Sequence, residues 1–309
     1  MLLRLKAVRT RFALITLSRL IFLLASSLLF SNSTLADDHG EKPTSPTLHT
    51  KEIADNLFMI SGKGGFTGGN VLLAVGDKHV VMIDDKIASM EGPLLEAVRS
   101  ISDRPISFLV NTHLHKDHTG NNAALAKRHT HIVGHSNVRK RMQADTEAYA
   151  ADEHPKVTYL DSMALYVADQ PAILVHAPRA HTDGDSFVVF KDSNVIHTGD
   201  LFFNGLFPYI DLDSGGSVQG YIAGQKRIIR MANDNTIIVP GHGPLSNKKE
   251  LTVALAMLEE SAKIVAEARK NKMSLEKMKE TKILERYKDY EWGFISQDKM
   301  IEQLYKDLN

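Results

Sequence analysis

The sequence predicts an α/β fold, and three observations carry that prediction. Short runs rich in Val, Ile and Leu alternate with stretches whose apolar residues recur at helical spacing. The densest cluster of metal-competent side chains, in residues 110–120 (VNTHLHKDHTG), sits where an apolar run ends and a helical pattern begins. Three further residues, His181, Asp200 and His242, each follow an apolar run and lie close to glycine. In α/β proteins function gathers just beyond the strand ends, so this order of strand, polar loop and helix fits the class.

Residues 52–60 have strand character. Residues 62–69 hold five glycines in eight positions and read as a hairpin loop, with a mobile flap over a substrate site as the alternative. They are not a phosphate-binding loop, because the Gly-Lys-Ser/Thr ending is missing. Residues 70–75 and 79–83 are β-branched runs around Gly76-Asp77, a hairpin signal, and Asp84-Asp85 ends the second. In residues 91–101, Leu94, Leu95 and Val98 fall on one side of a helix. Residues 106–110 form the strand that feeds the histidine cluster, and 120–128 read as a short helix. Strand 131–134 and helix 136–144 follow, then a polar stretch without clear period to about residue 161. Residues 172–176, 186–190 and 194–197 read as strands, 216–231 as a helix and 236–239 as a short buried strand. The clearest helix is 248–270, where Leu251, Leu255, Leu258, Ala262 and Val265 repeat at helical spacing. Residues 273–309 form a charged tail of helical pattern with the chain's one tryptophan, Trp292; it either packs on the domain or mediates dimerisation.

The chain's 309 residues, 43% hydrophobic, suffice for one large domain with a sizeable core or for two small ones. Cysteine is absent, which excludes disulfides, zinc-thiolate sites and thiol nucleophiles. Residues 1–19 are basic, 20–30 apolar and 31–36 small and polar, the three parts of a signal peptide ending at Ala36. An exported chain, periplasmic or secreted, is therefore expected; a membrane anchor through residues 12–30 is the alternative, but the apolar run 20–30 is short of the roughly 20 residues of a span and Arg19 interrupts its extension. Residues 37–49, with Pro43, Pro46, Ser and Thr, read as a flexible leader to a principal domain at 50–272. Of 37 basic residues, Arg4, Lys6, Arg9, Arg11 and Arg19 fall in the signal segment; the 32 that remain face 37 acidic ones. That balance speaks against nucleic acid. The expected partner is a small-molecule substrate, with membrane contact through the signal segment alone.

His113 and His115, at i and i+2 in an extended loop, point the same way and can share one ion. Imidazole and carboxylate suit Zn²⁺, and Fe or Mn would accept the same set. The other nine histidines (His39, His49, His79, His129, His131, His135, His154, His176 and His197) read as ordinary polar surface.

The series His113-x-His115-x-Asp117-His118, then His181, Asp200 and His242, resembles the metallo-β-lactamase-fold hydrolases in residue type, order and spacing from about residue 52 to 243. The resemblance implies an αβ/βα four-layer sandwich, here with a C-terminal helical extension, and a two-metal site along one edge. It assigns His113, His115 and His181 to a first metal, Asp117, His118 and His242 to a second, and Asp200 as a bridge. Asp117 would orient a metal-bound hydroxide that attacks a carbonyl, and Asp84 would support the ligands from behind, a turn or cap role being its alternative. True β-lactamases of this fold carry a cysteine at the Asp200 position or lack the bridging carboxylate; glyoxalase-II-like thioesterases and lactonases have the carboxylate.

The expected function is thus an exported zinc-dependent binuclear hydrolase of a β-lactam, lactone, ester or thioester. The alternatives are a glyoxalase-II-like hydroxyacylglutathione hydrolase and a mono-iron sulfur dioxygenase. The tail lacks a basic cluster for glutathione, and Thr119-Gly120-Asn121-Asn122 replaces the Gly-Gly usual after the motif. Residues 201–216 should border the site, with Phe202, Phe203, Phe207, Tyr209 and the turn Asp211-Leu212-Asp213-Ser214-Gly215-Gly216 shaping a pocket. Tyr209 would donate to the developing oxyanion. Arg179 would anchor a substrate carboxylate, or else be a solvated arginine.

Overall fold

Two sheets face each other across an apolar interior in the computed structural model of the chain, which describes residues 45–166 and 170–308. The expected signal segment and the leader as far as residue 44 lie outside the described residues. β1 (Thr47–Ala54), β2 (Leu57–Lys63), β3 (Val71–Val75) and β4 (Val80–Ile83) form an antiparallel meander. α1 (Glu91–Ile101) crosses to β5 (Ile106–Asn111); α2 (Lys116–Thr119) and α3 (Asn122–Ala126) lead to β6 (His131–His135), and α4 (Ser136–Ala144) to β7 (Val157–Tyr159). Strands β4 to β7 are parallel, and the first sheet runs in chain order from β1 to β7. The second sheet holds β8 (Ser162–Leu165), β9 (Ala172–His176), β10 (Ser186–Phe190), β11 (Val195–His197), β12 (Ile237–Val239) and β13 (Ser246–Asn247), in the order β13-β12-β11-β10-β9-β8. Its β11–β12 pair is parallel, with α5 (Val218–Met231) as the crossover; its other pairs are antiparallel. α6 (Lys248–Lys270), α7 (Leu275–Glu280) and α8 (Gln297–Asp307) complete the chain.

Every residue of β3, β4 and β10 is buried, because each sheet is covered on both faces; that is why these strands read as unbroken apolar runs. The two-residue period sorts them. Leu72 and Ala74 meet Val188 and Phe190 between the sheets. Val71, Leu73 and Val75 pack outward against Leu94 and Val98 of α1. On the far side Val175, Phe187 and Val189 pack against Ile228 of α5 and Leu251 of α6. Helix, sheet, sheet, helix is the four-layer αβ/βα sandwich. Serine and asparagine side chains begin the later helices: Ser217, Asn247, Ser274 and Ser296 each accept a backbone N–H three residues on.

Several expectations need adjustment. The strand expected at 52–60 is the hairpin β1–β2, turned at Asp55-Asn56, where Asn56 adopts φ +60°. β1 begins at Thr47, so the last residues expected in the flexible leader are paired in a sheet. The helix expected at 120–128 is the shorter α3 (Asn122–Ala126), and a separate turn of helix, α2 (Lys116–Thr119), precedes it. Between them the Asn121 side chain is tied to the carbonyls of Asp85 and Ile87, which stops one helix from running through. β7 and β8 were not anticipated: at three and four residues, at the sheet edges, they are too short to show a period. His135, His154 and His197 are buried rather than surface polar groups. His197 donates from Nε2 to the Asn70 carbonyl (3.1 Å) and accepts the Gly199 N–H on Nδ1 (3.2 Å), joining the two sheets at their site edge.

The tail packs on the sandwich. Met300, Ile301 and Leu304 of α8 share a cluster with Leu258 and Val265 of α6, Tyr221 of α5, and Phe207 and Ile210. Gln303 of α8 fixes that last segment, accepting the Ile210 N–H (3.1 Å) and donating to the Pro208 carbonyl (2.7 Å). Among the described residues no helix is long and apolar enough to cross a membrane. Truncating the fully buried Leu304 to alanine should cost about 2–5 kcal/mol of stability, read as a lower urea midpoint at unchanged slope.

Candidate metal centre

Four strands that end on the same edge carry the site. β5 delivers His113 and His115 in the loop beyond Asn111, with Asp117 and His118 in the first turns of α2. β9 leads to His181, β11 to Asp200 and β12 to His242. The seven side chains fall into two groups, His113, His115, His181 and Asp200, and Asp117, His118 and His242; within each, the potential ligand atoms lie within 4.8 Å of one another.

Hydrogen bonds behind the rings settle which nitrogen each histidine presents. The fully buried Asp84, at φ +60° just past β4, accepts the Thr112 N–H (2.8 Å), the Thr112 hydroxyl (2.8 Å) and His118 Nδ1–H (2.7 Å). With its proton turned to Asp84, the Thr112 hydroxyl accepts from His113 Nδ1 (3.0 Å). His181 Nδ1 donates to the Tyr209 carbonyl (2.7 Å). His115 is held the other way round, its Nε2 donating to Asp211 Oδ2 (2.9 Å). His113, His118 and His181 therefore turn Nε2 lone pairs inward and His115 turns Nδ1 inward.

Those lone pairs converge on one another. His115 Nδ1 and His181 Nε2 are 2.8 Å apart, and His118 Nε2 and His242 Nε2 3.3 Å apart. His113 Nε2 is buried without a hydrogen-bond partner. Lone pairs facing each other at such distances are stable only with a cation or proton between them, so the donor set fits metal ions. Asp200 divides its carboxylate between the groups. Oδ1 lies 3.0 Å from His118 Nε2, without hydrogen-bond geometry, and 3.5 Å from His242 Nε2; Oδ2 lies 3.5 Å from His181 Nε2 and 3.7 Å from His113 Nε2. Asp117 Oδ2 is 3.1 Å from His242 Nε2.

The imidazoles and carboxylates shift one another: against its burial, Asp200, Asp117 and Asp84 hold the His118 imidazole well above its usual value. Burial holds the His113 imidazole well below its usual value and brings His181 down to about 4, so both stay neutral, the form in which an imidazole can hold a metal. Burial opposes charge on Asp200, but His118, His242 and His113 override it and keep the carboxyl well below its ordinary range. Asp117 likewise falls to about 2, where His118 and the His242 hydrogen bond outweigh burial. His242 rises to about 9 against its burial because of Asp200 and Asp117. A proton and a dication compete for that same nitrogen.

Backbone must come unusually close here. A Cβ on Gly241 would stand 2.1 Å from Asp200 Oδ1, and one on Gly69 would stand 2.0 Å from the His118 ring. Beyond the ligands opens a cavity of about 870 Å³, reached by His115, Asp117, Asp200 and His242 and walled by Phe66, Phe203, Tyr209, Trp292 and Phe294. Of the residues expected to shape a pocket, Phe203 and Tyr209 line it, while Phe202 and Phe207 lie in the core. Phe66 belongs to the glycine-rich loop between β2 and β3, which thus borders the cavity as well as closing a hairpin. Arg179 is exposed, at φ +51°, and does not line the cavity.

The sequence did not single out Asp211 as the partner of His115, nor Trp292 and Phe294 as cavity residues. It also missed Lys86, whose buried ammonium has no hydrogen-bond partner and is lowered to about 7 by burial, against the pull of Asp117 and Asp84.

A sequence model of the metallo-beta-lactamase superfamily matches residues 64–242. Two curated proteins named hydroxyacylglutathione hydrolase are similar: one from Polaromonas sp., 27% identical over 152 residues (48% of this chain, 53% of that protein), and one from Nitrosococcus oceani, 29% identical over 151 residues (48% and 52%). The chain thus spans about half the length of the curated relatives it matches. A metallo-beta-lactamase from Pontibacter korlensis superposes with TM-score 0.59 at 17% identity (69% of this chain, 99% of that one). The DIM-1 metallo-beta-lactamase superposes with TM-score 0.60 at 14% identity (70% and 98%). At these identities the structural likeness speaks to the fold alone.

Asp211→Asn keeps the size of the side chain that holds His115 but weakens its acceptor. It should lower affinity for the first ion by about 10- to 100-fold in a metal titration, leaving the fold intact by circular dichroism.

Proposed function

The chain belongs to the metallo-beta-lactamase superfamily, and from that premise we propose that it is a binuclear metallohydrolase that cleaves a small carbonyl substrate with an activated water. The observation that carries this reading is the division of the Asp200 carboxylate, one oxygen toward each group of converging ligand atoms. His113, His115 and His181 would hold one ion, Asp117, His118 and His242 the other, with Asp200 between them. Zn²⁺ suits this donor set best, and Fe or Mn accept it. Bound there, such ions would supply Lewis-acid polarisation of a carbonyl and, by lowering the pKa of water to about 7, hydroxide at neutral pH.

The chain's own residues do the rest. Asp117, at the cavity floor, orients the nucleophile and takes up its proton. Asp84, Asp211 and the Tyr209 carbonyl keep the imidazoles aimed. The Tyr209 ring stands beside His115 and His181 on the cavity wall, and its hydroxyl donates to the oxygen that gains charge as the carbonyl becomes tetrahedral.

A β-lactam, lactone, ester or thioester would each satisfy this chemistry. Hydroxyacylglutathione hydrolysis is the second reading, supported by the names of the two curated relatives. We further propose export of the chain to the periplasm or medium, on the basic, apolar and small-residue order of residues 1–36.

Purified protein should carry two equivalents of divalent metal. Chelation should abolish hydrolysis across a panel of β-lactams, lactones, esters and glutathione thioesters, and added metal should restore it; activity that survives complete metal removal refutes the reading. Asp117→Asn should lower kcat/KM on the best substrate by about 100- to 10,000-fold. Tyr209→Phe should lower it by about 100-fold; an unchanged value removes Tyr209 from the mechanism.

A further inference from the structure

The cavity over the metal centre has two unlike sides. Its floor is ligand atoms, and its wall is aromatic. The rings of that wall form one contiguous series. Phe203 stacks on the ligand His242 (centroids 5.0 Å, planes 12° apart) and stands 5.9 Å from Trp292; Trp292 is 5.7 Å from Phe294, and Phe294 meets Tyr209 edge-on at 5.2 Å. These separations lie in the range where aromatic rings attract. The series therefore runs from a metal-ligating imidazole to the mouth of the cavity. At that mouth Phe294 is 48% exposed and Phe66, on the facing loop, 56% exposed. Exposed large apolar side chains gathered round one cavity mark a ligand surface.

Apart from the Tyr209 hydroxyl, the polar side chains of the wall have partners. Trp292 Nε1 donates to the Phe207 carbonyl (2.9 Å), so the indole offers the cavity only its apolar ring. Lys116 is the one Lys or Arg among the lining residues. Its ammonium pairs with Glu153 and lies 4.1 Å from the centre of the Tyr149 ring. The lining thus holds one cation, already paired, for the two carboxylates of a peptide-like thiol such as glutathione, whereas an uncharged ring would be met by aromatic surface.

We propose that the cavity binds an uncharged aryl or arylalkyl group attached to the scissile carbonyl, and that Trp292 and Phe294 are its specificity-determining residues. The proposal names the substrate class for the hydrolase reading above and rests on it for the position of the carbonyl. It extends the tail's role beyond packing, because both residues lie in the turn that precedes α8.

Trp292 is the only tryptophan in the chain, so its fluorescence reports on the cavity directly. The test titrates the zinc-loaded protein with benzylacetone, a phenyl-bearing ketone that cannot be hydrolysed, and in parallel with acetone and S-methylglutathione. Benzylacetone should give a saturable fluorescence change at concentrations about tenfold below any effect of the other two. In Phe294→Leu, which keeps apolar bulk and loses the ring, the half-saturating concentration should rise by about 3- to 10-fold. In the same variant the kcat/KM ratio of phenylacetyl to acetyl methyl esters should fall by a similar factor. No saturable response to benzylacetone, an equal response to S-methylglutathione, or an unchanged half-saturating concentration in Phe294→Leu each overturns the proposal. A fluorescence response without turnover on any substrate would instead strike the hydrolase reading, and turnover without the response would strike this one.

Discussion

The Asp84 carboxylate is the point from which the metal centre is built. It lies fully buried at the end of β4, in a left-handed backbone conformation that a β-strand cannot continue. Its two oxygens take three donors: the Thr112 amide, the Thr112 hydroxyl and the His118 ring. Through Thr112 it also sets the tautomer of His113. One carboxylate thus aims a ligand of each metal group. Both lone pairs point inward because both protons are used behind the rings. An uncompensated carboxylate at this depth would be costly, so the three donors are as necessary to Asp84 as it is to them.

The sandwich supplies the other half of the constraint. All ligands but Asp117 and His118 lie in loops just beyond strands that end on one edge, and strands packed on both faces have little freedom to shift. Where two such loops must touch, the chain has glycine. Gly241 passes against Asp200, and Gly69 against His118, so close that any side chain would displace a ligand. His197 ties the sheets together at that edge through the Asn70 carbonyl. The position of Asp200 between the metal groups is therefore a consequence of how β5, β11 and β12 end, more than of any contact Asp200 makes for itself.

The seven side chains that gather at the site and the α/β class were legible because each depends on local pattern: apolar runs of strand length, a dense short motif, glycine beside a lone His or Asp. What local pattern cannot carry was missed. The turn that holds Asp211 is expected beside the pocket, but its contact with His115, across 96 positions, leaves no local mark. β7 and β8 are too short for a period to show. His197 looked like surface because a single histidine after an apolar run gives no sign of the carbonyl it will meet. Trp292 was visible as an unusual residue, but its place over the cavity depends on how α8 packs, which is tertiary information.

That last dependence separates two kinds of residue at the site. The ligands are held by hydrogen bonds to strand ends and to the core: Asp84, Asp211, the Tyr209 carbonyl. The outer wall of the cavity hangs on the tail: Trp292 on the Phe207 carbonyl, and segment 207–211 in turn on Gln303 of α8. Tyr209 belongs to both systems, its carbonyl holding His181 and its ring forming wall. Changes in the turn before α8 can therefore reshape what the cavity accepts without touching the groups that bind metal. Changes at Tyr209 or in the packing of α8 reach both. Under the hydrolase reading, a chain built this way would vary its substrate through the tail while the groups at the strand ends stayed fixed.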